Sequence, residues 1–189
     1  MLIWILIAVL VIIVMMWINT YNGLVKSRMY VKESWSQIDV QLKRRNDLIP
    51  NLVETVKGYA KFEEGTLEKV VSLRNQLTQV PAGDHEQMMA LSNELSSGLK
   101  SVFAVAEAYP DLKASTQYNK LMEELTNTEN KIGYARQLYN SSVSSYDTKL
   151  ETFPTNIVAG VHNFKAEAFL ETPTEEKAVP TVSFGDDGK

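Results

Sequence analysis

The 189-residue sequence contains no cysteine, which excludes disulfides, thiolate metal sites and cysteine nucleophiles. It has only two histidines, His85 and His162, so a site with several histidines would need a second copy of the chain. Nine glycines and six prolines are few for an all-β protein, and the plentiful Ala, Leu, Glu, Lys and Gln favour helices. The formal net charge of −4 provides no basic footprint, so we expect no nucleic-acid partner.

Motifs for enzymatic chemistry are also missing. The sequence has no glycine-rich phosphate loop, zinc-protease motif or EF-hand loop. Ser97-Gly-Leu-Lys100 matches the S-x-x-K pattern of some serine acyl-enzymes, but no second motif element accompanies it. Glu54, Glu63 and Glu64 are candidate di-metal carboxylates, yet neither histidine supplies the Glu-x-x-His spacing of such bundles, and a solvated helix face explains them better. We therefore expect no enzyme, no catalytic residue, no metal and no cofactor.

The most informative stretch is the first one. Every residue from Leu2 to Ile18 is apolar, and the first charged side chain is Lys26. About 20 apolar residues span a bilayer core of ~30 Å, so residues 1–25 are predicted to form a transmembrane anchor. Aromatic side chains prefer the two membrane interfaces, and they mark both ends here. The residues expected to define the anchor are Leu2, Trp4, Trp17, Ile18 and Tyr21.

A cleaved signal peptide is the competing interpretation of this stretch. It would need a basic n-region, a shorter apolar run and a small-residue cleavage site, and the sequence has none of the three. The basic residues follow the apolar run at Lys26, Arg28 and Lys32. By the positive-inside rule, we expect the N-terminus outside and the rest of the chain in the cytoplasm, anchored by a single pass in the cell (inner) membrane.

Heptad-like apolar stripes indicate long helices beyond the anchor. The first stripe passes through Pro50 without changing phase, which predicts one kinked helix that continues toward Leu77; a break at Pro50 is the alternative. Its positions are Leu24, Arg28, Val31, Trp35, Ile38, Leu42, Arg45, Ile49, Leu52, Val56 and Tyr59.

Further stripes predict a second helix from about Asp84 to Tyr109, with Met88 and Leu91 on its apolar face, and a third that runs to Phe153. A short helix over 156–170 follows. Short connections between such helices imply antiparallel neighbours. The predicted fold is therefore all-α, a transmembrane helix continuing into an elongated up-and-down bundle over 26–171, with an extended tail over 172–189.

Charged residues fall on these apolar stripes, where burial is costly unless they are paired. We predict an interhelical polar network of Arg45, Asp47, Glu129 and Arg136, which fixes the register of the helices. Lys43 and Arg44 belong to the same basic cluster and are the candidate residues for binding a partner. Direct contact with lipid is disfavoured, because Lys43 lies roughly 37 Å along a straight helix from Ile18.

Several segments resemble the LemA family of bacterial membrane proteins, and together they cover nearly the whole chain. The most specific is residues 35–60, WSQIDVQLKRRNDLIPNLVETVKGYA. The others are YNGLV at 21–25, AEAYPDLKA at 106–114, ELTNTEN at 124–130, Tyr139-Asn140, Phe153-Pro154 and PTVSF at 180–184. Two positions differ from the family pattern: Ser34 stands where Ala is usual, and Phe62 where His is usual.

The resemblance implies an N-terminal anchor, an elongated helical bundle and a cytoplasmic domain, and it supplies no reaction. Family relatives tied to magnetosome formation suggest, by analogy, a role in organising membranes. We therefore expect a non-enzymatic scaffold in the lipid bilayer that self-associates as a homo-oligomer, with other membrane proteins as further partners. A short anchor also favours association between spans. Two alternatives remain: an adaptor or regulator of a membrane-bound protease or sensor, and an enzyme with an unrecognised site.

Overall fold

The computed structural model describes residues 1–57 and 64–171, except for the side chain of Glu64. Predictions that concern Tyr59, Phe62, Glu63 and the tail over 172–189 lie outside these described residues. All regular elements in the described part of the chain are helices, which confirms the predicted all-α class. They are α1 (Leu2–Lys57), α2 (Glu64–Leu77), α3 (His85–Ala106), α4 (Pro110–Lys113), α5 (Thr116–Glu151) and α6 (Thr155–Val161).

Helix α1 is a single element of 56 residues, about 84 Å long, and it contains Pro50. Proline lacks the N–H that would bond the carbonyl four residues earlier, here that of Asn46. The Nε of Arg74 donates to this carbonyl at 3.3 Å, so a side chain from α2 takes the place of the missing backbone donor. The prediction that the helix continues through Pro50 is confirmed.

The prediction that the same helix extends toward Leu77 is wrong. A straight helix would separate Asn46 and Arg74 by about 42 Å, whereas the two residues are joined by a hydrogen bond. Helix α2 therefore runs back along α1. Leu67, Val70, Leu73 and Leu77 pack from α2 into the same core as the C-terminal part of α1. In the sequence, the apolar stripe changes phase after residue 63, and this change coincides with the start of α2.

The long helices form an up-down-up-down bundle. α3 is capped by Asp84, whose carboxylate accepts from the N–H of Gln87, and it runs parallel to α1. α5 is antiparallel to α1, as its contacts with α1 show: Lys149 Nζ donates to Ser27 Oγ at 2.6 Å, and the hydroxyls of Ser34 and Ser142 lie 2.9 Å apart. The predicted elongated antiparallel bundle is confirmed.

Two apolar cores lie one above the other along this bundle. The upper core joins the C-terminal part of α1 to α2, α3, α4 and the start of α5, with Leu52, Leu99 and Leu125 fully buried. The lower core joins the middle of α1 to α5, α6 and Leu170. Among the described residues, only the first part of α1 extends below the lower core. Tyr139 and Tyr146 are fully buried in the lower core, to which α3 also contributes Met89.

The end of the described chain differs from the sequence prediction. α6 covers only Thr155–Val161, and Asn163 follows with φ 53°, a left-handed conformation that asparagine tolerates and that ends helices. The next residues are extended and run back along α5: Tyr139 donates its hydroxyl to the carbonyl of Ala168 at 3.1 Å, and the amide of Asn140 exchanges two hydrogen bonds with Leu170. A helix over 156–170 is therefore wrong.

Candidate functional site

The apolar end of α1 is the largest uncovered surface of the described chain. Residues 1–16 are all exposed, and none of the most apolar 18-residue window is buried in the bundle. By length and composition this is the one helix in the described residues that could cross a membrane, and its exposure sets it apart from the core helix of a soluble protein. The predicted anchor residues Leu2, Trp4 and Ile18 are exposed, as a lipid-facing span requires.

Aromatic side chains mark the point where α1 enters the bundle. The indole Nε1 of Trp17 donates to Nε2 of His162 at 3.3 Å, and the ring of Tyr21 lies 4.7 Å from the same imidazole, centroid to centroid. Tyr21 also meets Phe164 edge-on at 5.8 Å, and the guanidinium of Arg28 lies 5.1 Å from the Phe164 ring centroid. The residues that follow α6 thus contact α1 at the level where its fully exposed apolar segment ends.

A buried polar cluster lies in the middle of the bundle, around Arg45. The guanidinium has no exposed area, and its NH1 donates to Glu129 Oε1 at 2.8 Å and to Ser96 Oγ at 2.9 Å. Its NH2 donates to Ser92 Oγ at 2.9 Å. The hydroxyl of Ser96 in turn donates to the second oxygen of Glu129 at 3.0 Å. Helices α1, α3 and α5 are therefore joined by one ion pair and by the hydroxyls of two serines.

The cluster contains most of the predicted network, with one correction. Arg136 joins it through NH2, which lies 3.3 Å from Ser92 Oγ and 2.6 Å from Asn93 Oδ1. Asp47, in contrast, is exposed and lies outside the cluster. Residues two apart point to different sides of a helix, so Asp47 cannot share the inward direction of Arg45.

Sequence reasoning missed the neutral members of the cluster, which come from α3. The core face of this helix begins with Met89 and Ser92, not with Met88 and Leu91 as the stripe suggested. Relative to the predicted stripe, the first turns of α3 are rotated about the helix axis by roughly one residue position. This rotation turns Ser92 and Ser96 inward, where they contact the Arg45 guanidinium. The sequence carried no signal for these serines, because serine is also common on helix surfaces.

The predicted partner-facing residues are both exposed, but they differ in their contacts. Arg44 NH2 forms an ion pair with Glu124 Oε2 across to α5, with both side chains nearly half exposed. Pairs at such exposure contribute little stability, so Arg44 remains accessible to a partner at small cost. Lys43 is exposed on the neighbouring position.

The candidate catalytic motifs are helical surface and core. Ser97 to Lys100 lies within α3, and a Cβ on Gly98 would be 3.2 Å from Val70 Cγ2, so this glycine permits the close approach of α2. Glu54 is exposed and lies 3.8 Å from Lys57 Nζ on the same helix. Within the described ranges no group of three or more His, Asp or Glu side chains could hold a metal ion.

His85 occupies a position that the sequence did not indicate. Its imidazole stacks on the indole of Trp35, with ring centroids 3.6 Å apart, and so joins the start of α3 to α1. Burial lowers the pKa of His85 below its usual 6.5. Three carboxylates oppose this shift, those of Glu167, Asp84 and Asp39.

A shallow groove of about 360 Å³ lies between α1 and α5, on the outside of the bundle. Val40 and Tyr134 line it and are both largely exposed, and Lys131 and Glu33 flank them. Met29 is exposed on the same side of α1, three helical turns before Val40. Exposed apolar side chains on this face therefore stand among polar ones.

Comparison with known proteins agrees with the all-helical architecture. The model of the LemA family matches residues 34–184. Protein LemA of Metamycoplasma hominis is 29% identical over 143 residues, which cover 76% of this chain and 65% of that protein. This match therefore spans slightly less than two thirds of the relative.

Two further similar proteins come from magnetic bacteria. Magnetosome protein MamQ 2 of Paramagnetospirillum magneticum is 25% identical over 186 residues, covering 85% of this chain and 68% of that protein. Magnetosome protein MamQ of Magnetospirillum gryphiswaldense is 23% identical over the same coverage. Both likenesses thus cover most of this chain.

Proposed function

The chain belongs to the LemA family, and on this premise we propose that it is a membrane-anchored helical scaffold without catalytic activity. In this proposal the apolar end of α1 spans the inner membrane, and the bundle stands in the cytoplasm. The observation that carries the proposal is the continuity of α1, because one helix is fully exposed and apolar at one end and buried in the bundle at the other. Such a protein holds a rigid rod at a fixed place on the bilayer.

Self-association is the second part of the proposal. The face of Met29, Val40 and Tyr134 supports it, because exposed apolar side chains along a groove are typical of a surface that meets another protein. Glu33 and Lys131 on the rim carry opposite charges, so two copies in antiparallel or staggered contact can pair them. The names of the MamQ relatives, which associate those proteins with the magnetosome, are consistent with a role in organising membranes.

The oligomer is tested by light scattering of the full chain in a mild detergent. We expect a species of several copies, and we expect Val40→Asn combined with Tyr134→Ser to shift it toward the monomer. Tyr30→Ser is the matched control, because Tyr30 is equally exposed but lies about 100° round α1 from Met29. A monomeric wild-type chain in several mild detergents would contradict self-association and favour an adaptor that binds a different membrane protein.

Orientation is tested separately, using the absence of cysteine. Ala90 is exposed on α3, so Ala90→Cys places one thiol on the bundle. In intact cells a membrane-impermeant maleimide should leave this thiol unmodified and should modify it after lysis. Modification in intact cells would place the bundle outside the cytoplasm.

A further inference from the structure

Helix α6 forms the end of the bundle that lies nearest to the span. α5 descends along α1 until Lys149 reaches Ser27, and α6 continues to His162, which contacts Trp17 and Tyr21. The chain then turns away, since Phe164 lies beside Arg28 and Leu170 beside Asn140. α6 is therefore the turning point of the bundle and lies at the level where the span emerges.

The outer face of α6 is apolar although it is exposed. Val158 and Ala159 are buried in the lower core and fix the orientation of the helix. Ile157 and Val161, one turn apart, lie beside this buried face with 50% and 63% of their surface exposed, and Phe153 before the helix is 79% exposed. No described residue covers these three side chains, and Gly160 between them adds no polar group.

The position of this face identifies its occupant. A span of about 20 residues that includes Leu2 ends near Tyr21, so Trp17 and Tyr21 lie in the interfacial layer of the bilayer. Because His162 contacts both rings, the outer face of α6 lies in the same layer. The charges around it are mixed: Lys26, Lys165 and Glu151 are all exposed nearby. Insertion of apolar side chains, not attraction to anionic headgroups, therefore accounts for the pattern.

We infer that α6 is a second membrane contact of this chain, with Phe153, Ile157 and Val161 inserted at the boundary of headgroups and acyl chains beside the span. The inference rests on the proposed anchor, which positions α6. A helix with one apolar face lies along the interface in this manner without crossing the bilayer. Two contacts, the span and α6, then limit the directions in which the bundle can leave the membrane.

The experiment uses nitroxide labels on single cysteines in the full-length chain, reconstituted in vesicles of phosphatidylcholine alone. Accessibility to oxygen, which concentrates in lipid, is compared with accessibility to a water-soluble nickel chelate. Labels at Ile157→Cys and Val161→Cys should favour oxygen, as a label at Val9→Cys within the span does. A label at Ala90→Cys, exposed on α3, should favour the nickel chelate.

The outcomes separate this inference from the proposed anchor. If Val9→Cys reports lipid while both α6 labels match Ala90→Cys, the second contact is wrong and the anchor stands. If Val9→Cys itself reports water, both are wrong. In the Val161→Cys background, Ile157→Asn should shift the label toward water and Val40→Asn should not, since Val40 lies about 33 Å beyond Ile18 along α1. Equal shifts from the two substitutions would also contradict the inference.

Discussion

Arg45 is the largest of the fully buried side chains, and it is charged. Its place on an apolar stripe made its burial predictable. Because a guanidinium stays charged at all ordinary pH values, a carboxylate partner was predictable as well. The serines of the cluster were not predictable, because serine is ordinary on a helix surface. Their inward direction depends on the rotation of α3, which is decided by packing against α1 and α5.

Removing either member of the ion pair, Arg45 or Glu129, should lower the free energy of unfolding, but by unequal amounts. Glu129→Ala leaves a guanidinium with no route to water, and we expect the free energy of unfolding to fall by about 3 kcal/mol. Arg45→Met should cost less, roughly 1–2 kcal/mol, because Glu129 is 29% exposed and can be hydrated. Urea unfolding of both single variants and the double variant measures this difference. Equal costs without coupling would contradict the pairing.

Two buried tyrosines in the lower core provide a matched pair. Tyr139 donates its hydroxyl to the carbonyl of Ala168, whereas the hydroxyl of Tyr146 has no partner among the described residues. Tyr139→Phe should lower the free energy of unfolding by about 1 kcal/mol, while Tyr146→Phe should leave it unchanged or raise it slightly. Thermal unfolding of the two variants compares them directly, and the reverse order would show that the hydroxyls are bonded differently.

His85 should make stability depend on pH. Burial lowers the pKa of His85 in the folded state below the unfolded value of 6.5, so the unfolded chain binds the proton more readily. The stabilising contribution of neutral His85 is therefore fully present above pH 6.5 and is lost as the pH falls from 6.5 toward the folded pKa. The urea midpoint should drop over this range in the wild type and in His162→Gln, and the drop should be smaller in His85→Gln. An unchanged drop in His85→Gln would contradict this assignment.

Helices α1 and α2 show what an apolar periodicity in the sequence can and cannot predict. The unbroken stripe through Pro50 was sufficient to predict a continuous helix. The same type of pattern failed at α2, because a phase slip is compatible both with a continuing helix and with a reversal. Tertiary packing decides between a continuing helix and a reversal. The apolar face of α2 becomes buried only when α2 folds back onto α1.

The link between Pro50 and Arg74 can be tested as a pair. Arg74→Met removes the donor to the Asn46 carbonyl and should cost about 1 kcal/mol in free energy of unfolding. In a Pro50→Ala background the backbone N–H of residue 50 can bond this carbonyl, so the same substitution should cost less. A double-mutant cycle by urea unfolding measures the difference. Additive effects would mean that the two residues act independently.

At the scale of the whole molecule, the sequence predicted the antiparallel bundle because its helices are long and their connections short. It did not predict the extended return after α6, since the apolar residues at Phe164, Phe169 and Leu170 fit a helical stripe equally well. Asn163 and the hydrogen bonds to Asn140 decide the conformation there. These contacts connect residues 30 apart in sequence, which local pattern cannot indicate.

The separation of span and bundle gives a prediction for the whole chain. Residues 2–16 are all exposed and contribute nothing to either core. Their deletion should leave the thermal midpoint of the bundle unchanged when both forms are measured in the same detergent. Trp17→Ala is the contrasting variant, because Trp17 packs on the lower core, and it should lower the midpoint. A large loss on deletion would show that the span supports the bundle.

The continuity of α1 also has a mechanical consequence. Lys57 lies 39 positions beyond Ile18, so under the proposed anchor the part of α1 outside the membrane is a lever arm about 58 Å long. Transmembrane helices tilt by about 20° on average, and the tilt increases as the bilayer becomes thinner. At that angle the tip is displaced sideways by roughly 20 Å. A small change in bilayer thickness is thereby converted into a large lateral movement at the top of the lever.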